Sequence, residues 1–160
     1  MLRAQRSADH SLEGIAGLLG GRQFVLMHEV TIDASAFLDR YVAAWNDADP
    51  ERRRAALGRL YSDHGCIVTP LTEVNGAEAI VEHVGEVFSE FVATSGLRFR
   101  CAASTAHDRS LLMRWELTAE GRAPAGSGLN VLLLGSDGRI EADHQFSELQ
   151  PSPETGAAAS

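Results

Sequence analysis

The sequence contains no lysine, only two cysteines and no long run of apolar residues. Its 14 basic residues are all arginine, and its 22 aspartates and glutamates bring the formal net charge to −8. A net negative charge disfavours binding to nucleic-acid phosphates and to anionic membranes. Cys66 and Cys101 are too few for a disulfide framework or a CxxC-type zinc site.

A transmembrane helix needs about 20 consecutive apolar residues, and the sequence has no such run. Hydrophobic residues make up 44% and charged residues 22% of the chain, which is typical of soluble globular proteins. We therefore expect a cytoplasmic protein whose partners include neither nucleic acid nor membrane.

The length of 160 residues favours one domain with a single core. We predict that this domain covers residues 33–149. Residues 1–32 are predicted to be a largely disordered extension, or to reflect an alternative start at Met27. Residues 150–160 are small, polar and proline-containing, and we predict a disordered tail because they bury too little apolar surface to order.

Apolar periodicity predicts a first helix over about residues 35–46. Apolar residues recur there at i, i+1, i+4, i+5 and i+8 from Phe37, so that one face is apolar. Asp49 and Pro50 are a typical N-cap and first-turn proline for a second helix that reaches about Tyr61.

Asn75, with Glu78 three residues later, is a capping-box-like start for a long third helix. Gly96 is predicted to end that helix. A short segment before this helix, residues 66–70, has the character of a β-strand. Four more such segments follow the helix and cover residues 97–105, 110–118, 127–134 and 139–149.

Alternation of apolar and polar residues predicts which way each strand side chain faces. In the last strand it places His144 and Phe146 on the apolar face and Asp143 on the polar face. Three helices followed by a run of strands indicate an α+β fold, with the N-terminal helices packed on a curved, mostly antiparallel sheet.

Segments 37–49, 60–69, 76–84, 114–115 and 137–146, in this order, resemble the SnoaL-like group of the nuclear transport factor 2-like (NTF2-like) superfamily. The resemblance covers about residues 33–149. It implies a cone-shaped α+β barrel with a pocket at its open end. Members of the superfamily include isomerases, polyketide cyclases, epoxide hydrolases, dehydratases and binding modules without activity, and the fold does not choose among them.

The segment Arg40–Asn46 is similar to the first helix of bacterial ketosteroid isomerases. This resemblance places Tyr41 on the oxyanion-hole tyrosine of that family and Asn130 on its protonated aspartic acid. Two neutral donors aimed at one oxygen would stabilise an enolate. Thr69 departs from the family, because the isomerases carry their general-base aspartate at that position.

His144 is then the predicted proton-transfer group, because the ordinary pKa of histidine, near 6.5, suits acid–base catalysis. Asp63 follows the second helix and is a candidate to orient a histidine. Neither His83 nor His107 has a partner at metal-ligand spacing, and we expect no metal or other cofactor. The predicted substrate-binding residues are Trp45, Asp63, Thr69, Phe88, Trp115 and Phe146.

These residues favour a cofactor-independent isomerase, cyclase or dehydratase that acts on an apolar carbonyl compound, such as a polyketide or terpenoid. Tyr41 and Asn130 would hold the oxygen, and His144 would move the proton. The main alternative is a ligand-binding or dimerisation module without activity. A limonene-type epoxide hydrolase is a weaker alternative, because Arg114 and Asp143 are predicted to face outward. The resemblance also implies a homodimer.

Overall fold

The computed structural model describes residues 32–148. The predicted N-terminal extension, apart from residue 32, and the predicted tail lie outside these residues. The described helices are α1 (Ala34–Asn46), α2 (Pro50–Leu60), α3 (Ala77–Val87) and a π-helix (Phe88–Ala93). The strands are β1 (Tyr61–Val68), β2 (Glu73–Asn75), β3 (Arg98–His107), β4 (Ser110–Thr118), β5 (Gly126–Leu134) and β6 (Ile140–Glu148).

Side-chain caps define where the first two helices begin. The Asp33 carboxylate accepts a hydrogen bond of 3.0 Å from the backbone N–H of Ala36 and caps α1. Asp49 accepts bonds of 2.9 Å from two backbone N–H groups of the first turn of α2, and Pro50 occupies its first position. These contacts satisfy N–H groups that the helix leaves without partners. The predicted start of α2 is therefore confirmed.

The predicted cap of the third helix is wrong. Asn75 is the last residue of β2, and its amide donates to Glu73 at 3.1 Å rather than capping the helix. Gly76 precedes α3 with a φ of 87°, a left-handed conformation that glycine adopts without a steric penalty. After α3 the chain widens into the π-helix, and Gly96, also at positive φ, follows it as predicted.

The six strands form one sheet in the order β2-β1-β6-β5-β4-β3. Strands β1 and β6 are parallel, and every other neighbouring pair is antiparallel. The sheet is curved and unclosed, and the helices pack against one of its faces. The predicted α+β class with a mostly antiparallel sheet is confirmed.

Strand β1 begins five residues earlier than the sequence predicts, and β2 was not predicted at all. The polar residues 62–65 were interpreted as a break after α2, but they belong to β1. Their register against β6 is irregular: Tyr61 pairs with Ile140, and Cys66 pairs with Ala142. The irregular pairing hides the alternation by which a strand is recognised in a sequence.

A β-bulge near the start of β6 determines which side chains of this strand face the helices. Leu134 of β5 pairs with Ile140, but its neighbour Leu133 pairs with Ala142, so that Glu141 is an extra residue. One extra residue inverts the alternation from that point on. Asp143 is consequently buried at 0% exposure, whereas the sequence placed it outside.

Gly128 of β5 allows a close approach of the Trp115 indole on the neighbouring strand. A Cβ atom at this position would lie 2.5 Å from Trp115 Cζ2 and closer still to the carbonyl oxygen of Phe146. Both distances are shorter than real Cβ contacts. The absence of a side chain at Gly128 therefore determines where the indole lies.

We expect Gly128→Ala to lower the free energy of unfolding by about 1–3 kcal/mol, because overpacking a close contact displaces side chains and backbone. Urea unfolding followed by tryptophan fluorescence measures the change. Gly126→Ala is the matched control on the same strand, since no atom lies within 4 Å of a Cβ atom placed there. Equal stability of the two variants would contradict the packing argument.

Candidate functional site

A carboxylate lies between two tyrosines in the core. The hydroxyl groups of Tyr41, on α1, and Tyr61, at the start of β1, each donate a hydrogen bond of 2.7 Å to Oδ2 of Asp143. All three residues are at most 2% exposed. The arrangement joins α1 to two parallel strands through a single carboxylate oxygen.

Three further side chains extend this cluster. Asn130 of β5 donates from its amide nitrogen to the Tyr41 hydroxyl at 2.8 Å and accepts from Trp115 Nε1 at 3.0 Å. The amide nitrogen of Gln145 lies 3.0 Å from Oδ2 of Asp143 and 3.5 Å from the Tyr41 hydroxyl. Asn130 is buried, whereas Trp115 and Gln145 are partly exposed. The cluster therefore reaches the surface through these two side chains.

The second carboxylate oxygen of Asp143 has no hydrogen-bond partner in the described part of the chain. Oδ1 is buried and accepts no hydrogen bond from residues 32–148. Buried polar atoms are nearly always hydrogen-bonded, and an unsatisfied one costs about 1–3 kcal/mol. Such an exception inside a polar cluster marks a position where a ligand atom or a proton can be accommodated.

Burial raises the pKa of the Asp143 carboxyl above its ordinary value, because the charged form loses hydration. The hydrogen bonds from Tyr41, Tyr61 and Gln145 favour the charged form and offset part of this effect. Burial, and next the charge of Asp143, also raise the pKa of both tyrosines well above 10, so that they stay neutral donors.

Aromatic side chains form a continuous row beside the polar cluster. The ring centroid of Trp45 lies 5.9 Å from that of Tyr41 and 5.8 Å from that of Phe99. Phe99 packs edge-on against Trp115 at 5.6 Å. His83 of α3 meets Trp45 edge-on at 6.4 Å, and its partial burial lowers the pKa of its imidazole. The row is an apolar wall that runs from the core to the partly exposed Trp115.

The structure brings four of the sequence-predicted residues together. Tyr41 and Asn130 are in direct contact, Trp115 donates to Asn130, and Trp45 packs against Tyr41. The two expected oxyanion donors are hydrogen-bonded to each other, and the Tyr41 hydroxyl proton is directed at Asp143. Their convergence on a ligand oxygen stays a prediction.

The expected inward orientation of His144 and Phe146 is wrong, because the bulge reverses this part of β6. His144 pairs with Val131 of β5 and lies on the sheet face away from the helices, next to the buried Asp143. Phe146 is 54% exposed on the same outer face. Neither side chain belongs to the cluster around Tyr41.

Three other predicted binding residues have structural contacts outside the cluster instead. The Thr69 hydroxyl accepts from the backbone N–H groups of Leu71 and Thr72 and so closes its own turn. Asp63 is exposed and forms an ion pair of 3.1 Å with Arg139. Phe88 lies at the start of the π-helix. The Arg53 guanidinium carbon lies over its ring, 4.8 Å from the ring centre.

Sequence reasoning missed Asp143, Tyr61 and Gln145 as members of the site. Asp143 and Gln145 are two residues apart and share a strand face, but that face was interpreted as the solvated one. Tyr61 was assigned to the end of α2. No pattern in the sequence marks these residues, because a single extra residue at 140–142, which only the strand pairing reveals, turns both polar side chains inward.

None of the helices within residues 32–148 is long and apolar enough to cross a bilayer. In the same part of the chain, no three histidine, cysteine, aspartate or glutamate side chains form a group that could hold a metal ion.

The SnoaL-like domain family matches residues 38–142, and the chain belongs to this family. The resemblance inferred from the sequence is thereby confirmed. No functionally curated protein matches the chain in sequence.

Solved structures share the fold. A proposed isomerase of the SnoaL-like family from Agrobacterium tumefaciens C58 is 27% identical, with a TM-score of 0.65 over 72% of this chain and 97% of its own. A proposed SnoaL-like polyketide cyclase from Jannaschia sp. CCS1 is 14% identical, with a TM-score of 0.58 over 72% and 85%. A Catenulispora acidiphila protein with a ketosteroid isomerase-like fold is 16% identical, with a TM-score of 0.55 over 71% and 85%.

The raised pKa of Asp143 predicts how stability depends on pH. The folded protein holds this proton more tightly than the unfolded chain, so the contribution of Asp143 to stability is largest below the ordinary aspartate pKa of about 4. This contribution to stability is lost as the pH rises through the pKa that Asp143 has in the folded protein. We expect the free energy of unfolding of the wild type, relative to Asp143→Asn, to decrease from pH 4 upward.

Urea unfolding of both proteins between pH 4 and pH 8 measures this difference. Asp39→Asn removes an exposed carboxylate of α1 and serves as the control for the loss of one acidic side chain, measured over the same pH range. A wild type that gains stability relative to Asp143→Asn as the pH rises would show that the folded-state pKa is depressed instead.

Proposed function

We propose that the protein is a cofactor-independent enzyme of the isomerase, cyclase or dehydratase class, and that Asp143 transfers the proton. Its substrate would be an apolar carbonyl compound, such as a polyketide or terpenoid, that reacts through an enolate-like state. The observation that carries the proposal is the buried Asp143 carboxyl, held by two tyrosines at one oxygen and unpartnered at the other.

The environment of Asp143 supports a role as general base. A carboxylate with a raised pKa is a stronger base than an ordinary aspartate and is better matched to neutral pH. Tyr41 and Tyr61 hold Oδ2 and so fix the orientation of the carboxyl. The free Oδ1 would take a proton from the carbon next to the carbonyl. The C–H electron pair would form the carbon–carbon double bond of the enolate, and the π pair of the carbonyl would move onto its oxygen.

Return of that proton completes the reaction. Delivery from Asp143 to a different carbon would give an isomer, whereas attack of the enolate carbon on a second carbonyl would close a ring. Asn130 uses its amide to donate to Tyr41, and we propose that the other N–H bond of this amide stabilises the enolate oxygen. Asn130 would thus keep the role of oxyanion donor that the sequence predicts for it. Asp143 would take the proton-transfer role that the sequence predicts for His144.

The aromatic row would bind the apolar body of the substrate. Trp45, Phe99 and Trp115 present flat surfaces beside the polar cluster, which suits a planar ring system. Trp115 and Gln145 are the partly exposed members of the cluster, so a substrate would enter between them. Entry requires these side chains to move, because Tyr41 and Asp143 are closed to solvent.

The test is exchange of deuterium from solvent into the position next to the carbonyl of 1-tetralone and larger polycyclic ketones. We expect the wild type to accelerate exchange above the buffer rate for at least one ketone. Asp143→Asn should lower that rate at least about 100-fold, because a positioned general base contributes about 10²–10⁴-fold.

His144→Gln is the matched control, since it changes the neighbouring residue on the opposite face of β6. It should retain the wild-type exchange rate. Exchange that Asp143→Asn leaves unchanged, or a wild type that accelerates exchange of no ketone, would contradict the enzymatic proposal. Circular dichroism and urea unfolding establish that the variants are folded.

A binding or dimerisation module is the second candidate, and the closed cluster favours it. Tyr41, Asn130 and Asp143 are each at most 3% exposed, as expected of a polar network that only holds α1 on the sheet. The outward position of Arg114 argues against the epoxide hydrolase alternative. Arg114 lies on the exposed face of β4, opposite Leu129, so the inner face lacks the arginine that this chemistry requires.

The outer sheet face supports a homodimer in either case. Leu112, Leu133 and Phe146 are 38%, 39% and 54% exposed on adjacent strands. Several exposed apolar side chains on one sheet face are typical of an interface. We propose that two copies pair through this face.

We expect sedimentation of the wild type as a dimer at micromolar concentration. Phe146→Glu should raise the dissociation constant at least about tenfold, because it places a charge in an apolar contact. Leu71→Glu is the control, since Leu71 is 96% exposed in the turn before β2 and not on this face. A monomeric wild type, or an equal effect of both substitutions, would contradict the proposed interface.

A further inference from the structure

A cavity lies away from the buried cluster, where the pair of helices α1 and α2 meets the turn between β5 and β6. Its volume is about 480 Å³, within the usual range for small-molecule sites. The apolar part of its lining consists of Phe37, Ala43, Ala44, Ala56 and Leu60. None of the residues that line it belongs to the polar cluster around Asp143.

Charged side chains surround this apolar lining, and most of them are already paired. Asp47 holds Arg52 at 2.8 Å. Arg139 is held by Asp137 at 2.8 Å and by Asp63 at 3.1 Å. These contacts leave no carboxylate of the lining without an arginine partner.

Arg40 and Arg59 are the exceptions in the lining. Neither forms an ion pair with a carboxylate of the described part of the chain. The Arg40 guanidinium lies 5.7 Å from the centre of the Phe37 ring, which places its positive charge directly over the apolar lining. Two uncompensated arginines at one cavity are unexpected in a chain with a net charge of −8.

We propose that this cavity binds a small amphipathic anion, an oxyanion head group on a short apolar chain. The apolar lining would cover the chain, and the two guanidinium groups would hold the head. Planar guanidinium groups bind carboxylates and phosphates through paired N–H donors. This site is independent of the proposed reaction at Asp143, because the two share no residue.

Isothermal titration calorimetry of the full chain with octanoate and octyl phosphate tests the proposal. At least one should bind saturably, and the tighter of the two identifies the head group. Octan-1-ol has the same chain without the charge, and we expect it to bind at least about tenfold more weakly. Higher salt should weaken binding of the anions and leave that of the alcohol unchanged.

The double variant Arg40→Gln/Arg59→Gln should weaken anion binding at least about tenfold. Arg98→Gln is the control, because it removes an exposed arginine from β3, which does not line this cavity. Asp143→Asn should leave anion binding unchanged, so that a failure of the proposed reaction is distinguishable from a failure of this site.

Three results would overturn the proposal. One is the absence of saturable binding by either anion, and another is equal affinity for octanoate and octan-1-ol. The third is an affinity that the double arginine variant and Arg98→Gln change to the same extent.

Discussion

The shared hydrogen bonds of Tyr41 and Tyr61 to one oxygen of Asp143 are the contacts on which the rest of the structure depends. Burying a carboxylate is costly unless donors compensate for its lost hydration. Here the donors come from α1 and β1, and Asn130 and Trp115 extend the network to β5 and β4. Because α1 and each of the strands β1, β4, β5 and β6 contribute at least one partner, the position of α1 on the sheet and the positions of four strands are determined together. A shift of any of them would leave a buried polar atom unsatisfied.

The bulge at Glu141 is the backbone feature that makes this cluster possible. Without the extra residue, Asp143 and Gln145 would face outward and His144 inward, as the alternation of the sequence predicts. Alternation describes a regular strand, and it carries no information about where a residue is added. The same limit applies at β1, where irregular pairing hides Tyr61. The sequence therefore predicts the fold class and brings Tyr41 and Asn130 to one place, but it does not predict the carboxylate that lies between Tyr41 and Tyr61.

The helices were easier to predict, because their signals are local. The Asp49–Pro50 start and the apolar face of α1 depend on neighbouring residues alone. The end of α3 shows where a local pattern fails. A 3.6-residue period places Phe91 and Val92 on the same face, but the wider turn of the π-helix buries Val92 at 7% exposure and leaves Phe91 at 37%. Phe88 then packs under Arg53, a tertiary contact that no periodicity contains.

Burial makes the Asp143 carboxylate a stronger base, and it also closes the site to a substrate. Removing water raises the pKa of Asp143 and so makes it a better base, but the same packing keeps a substrate from Oδ1. A buried base and access for a substrate are compatible only if one side chain of the cluster can move aside with little loss of hydrogen bonding. Gln145 meets this condition, because it is partly exposed and both oxygens to which its amide donates have other donors. Tyr41 and Tyr61 donate to Oδ2 of Asp143, and Asn130 donates to the Tyr41 hydroxyl. A substrate that displaced Gln145 would reach the carboxylate while the two tyrosines continued to hold it.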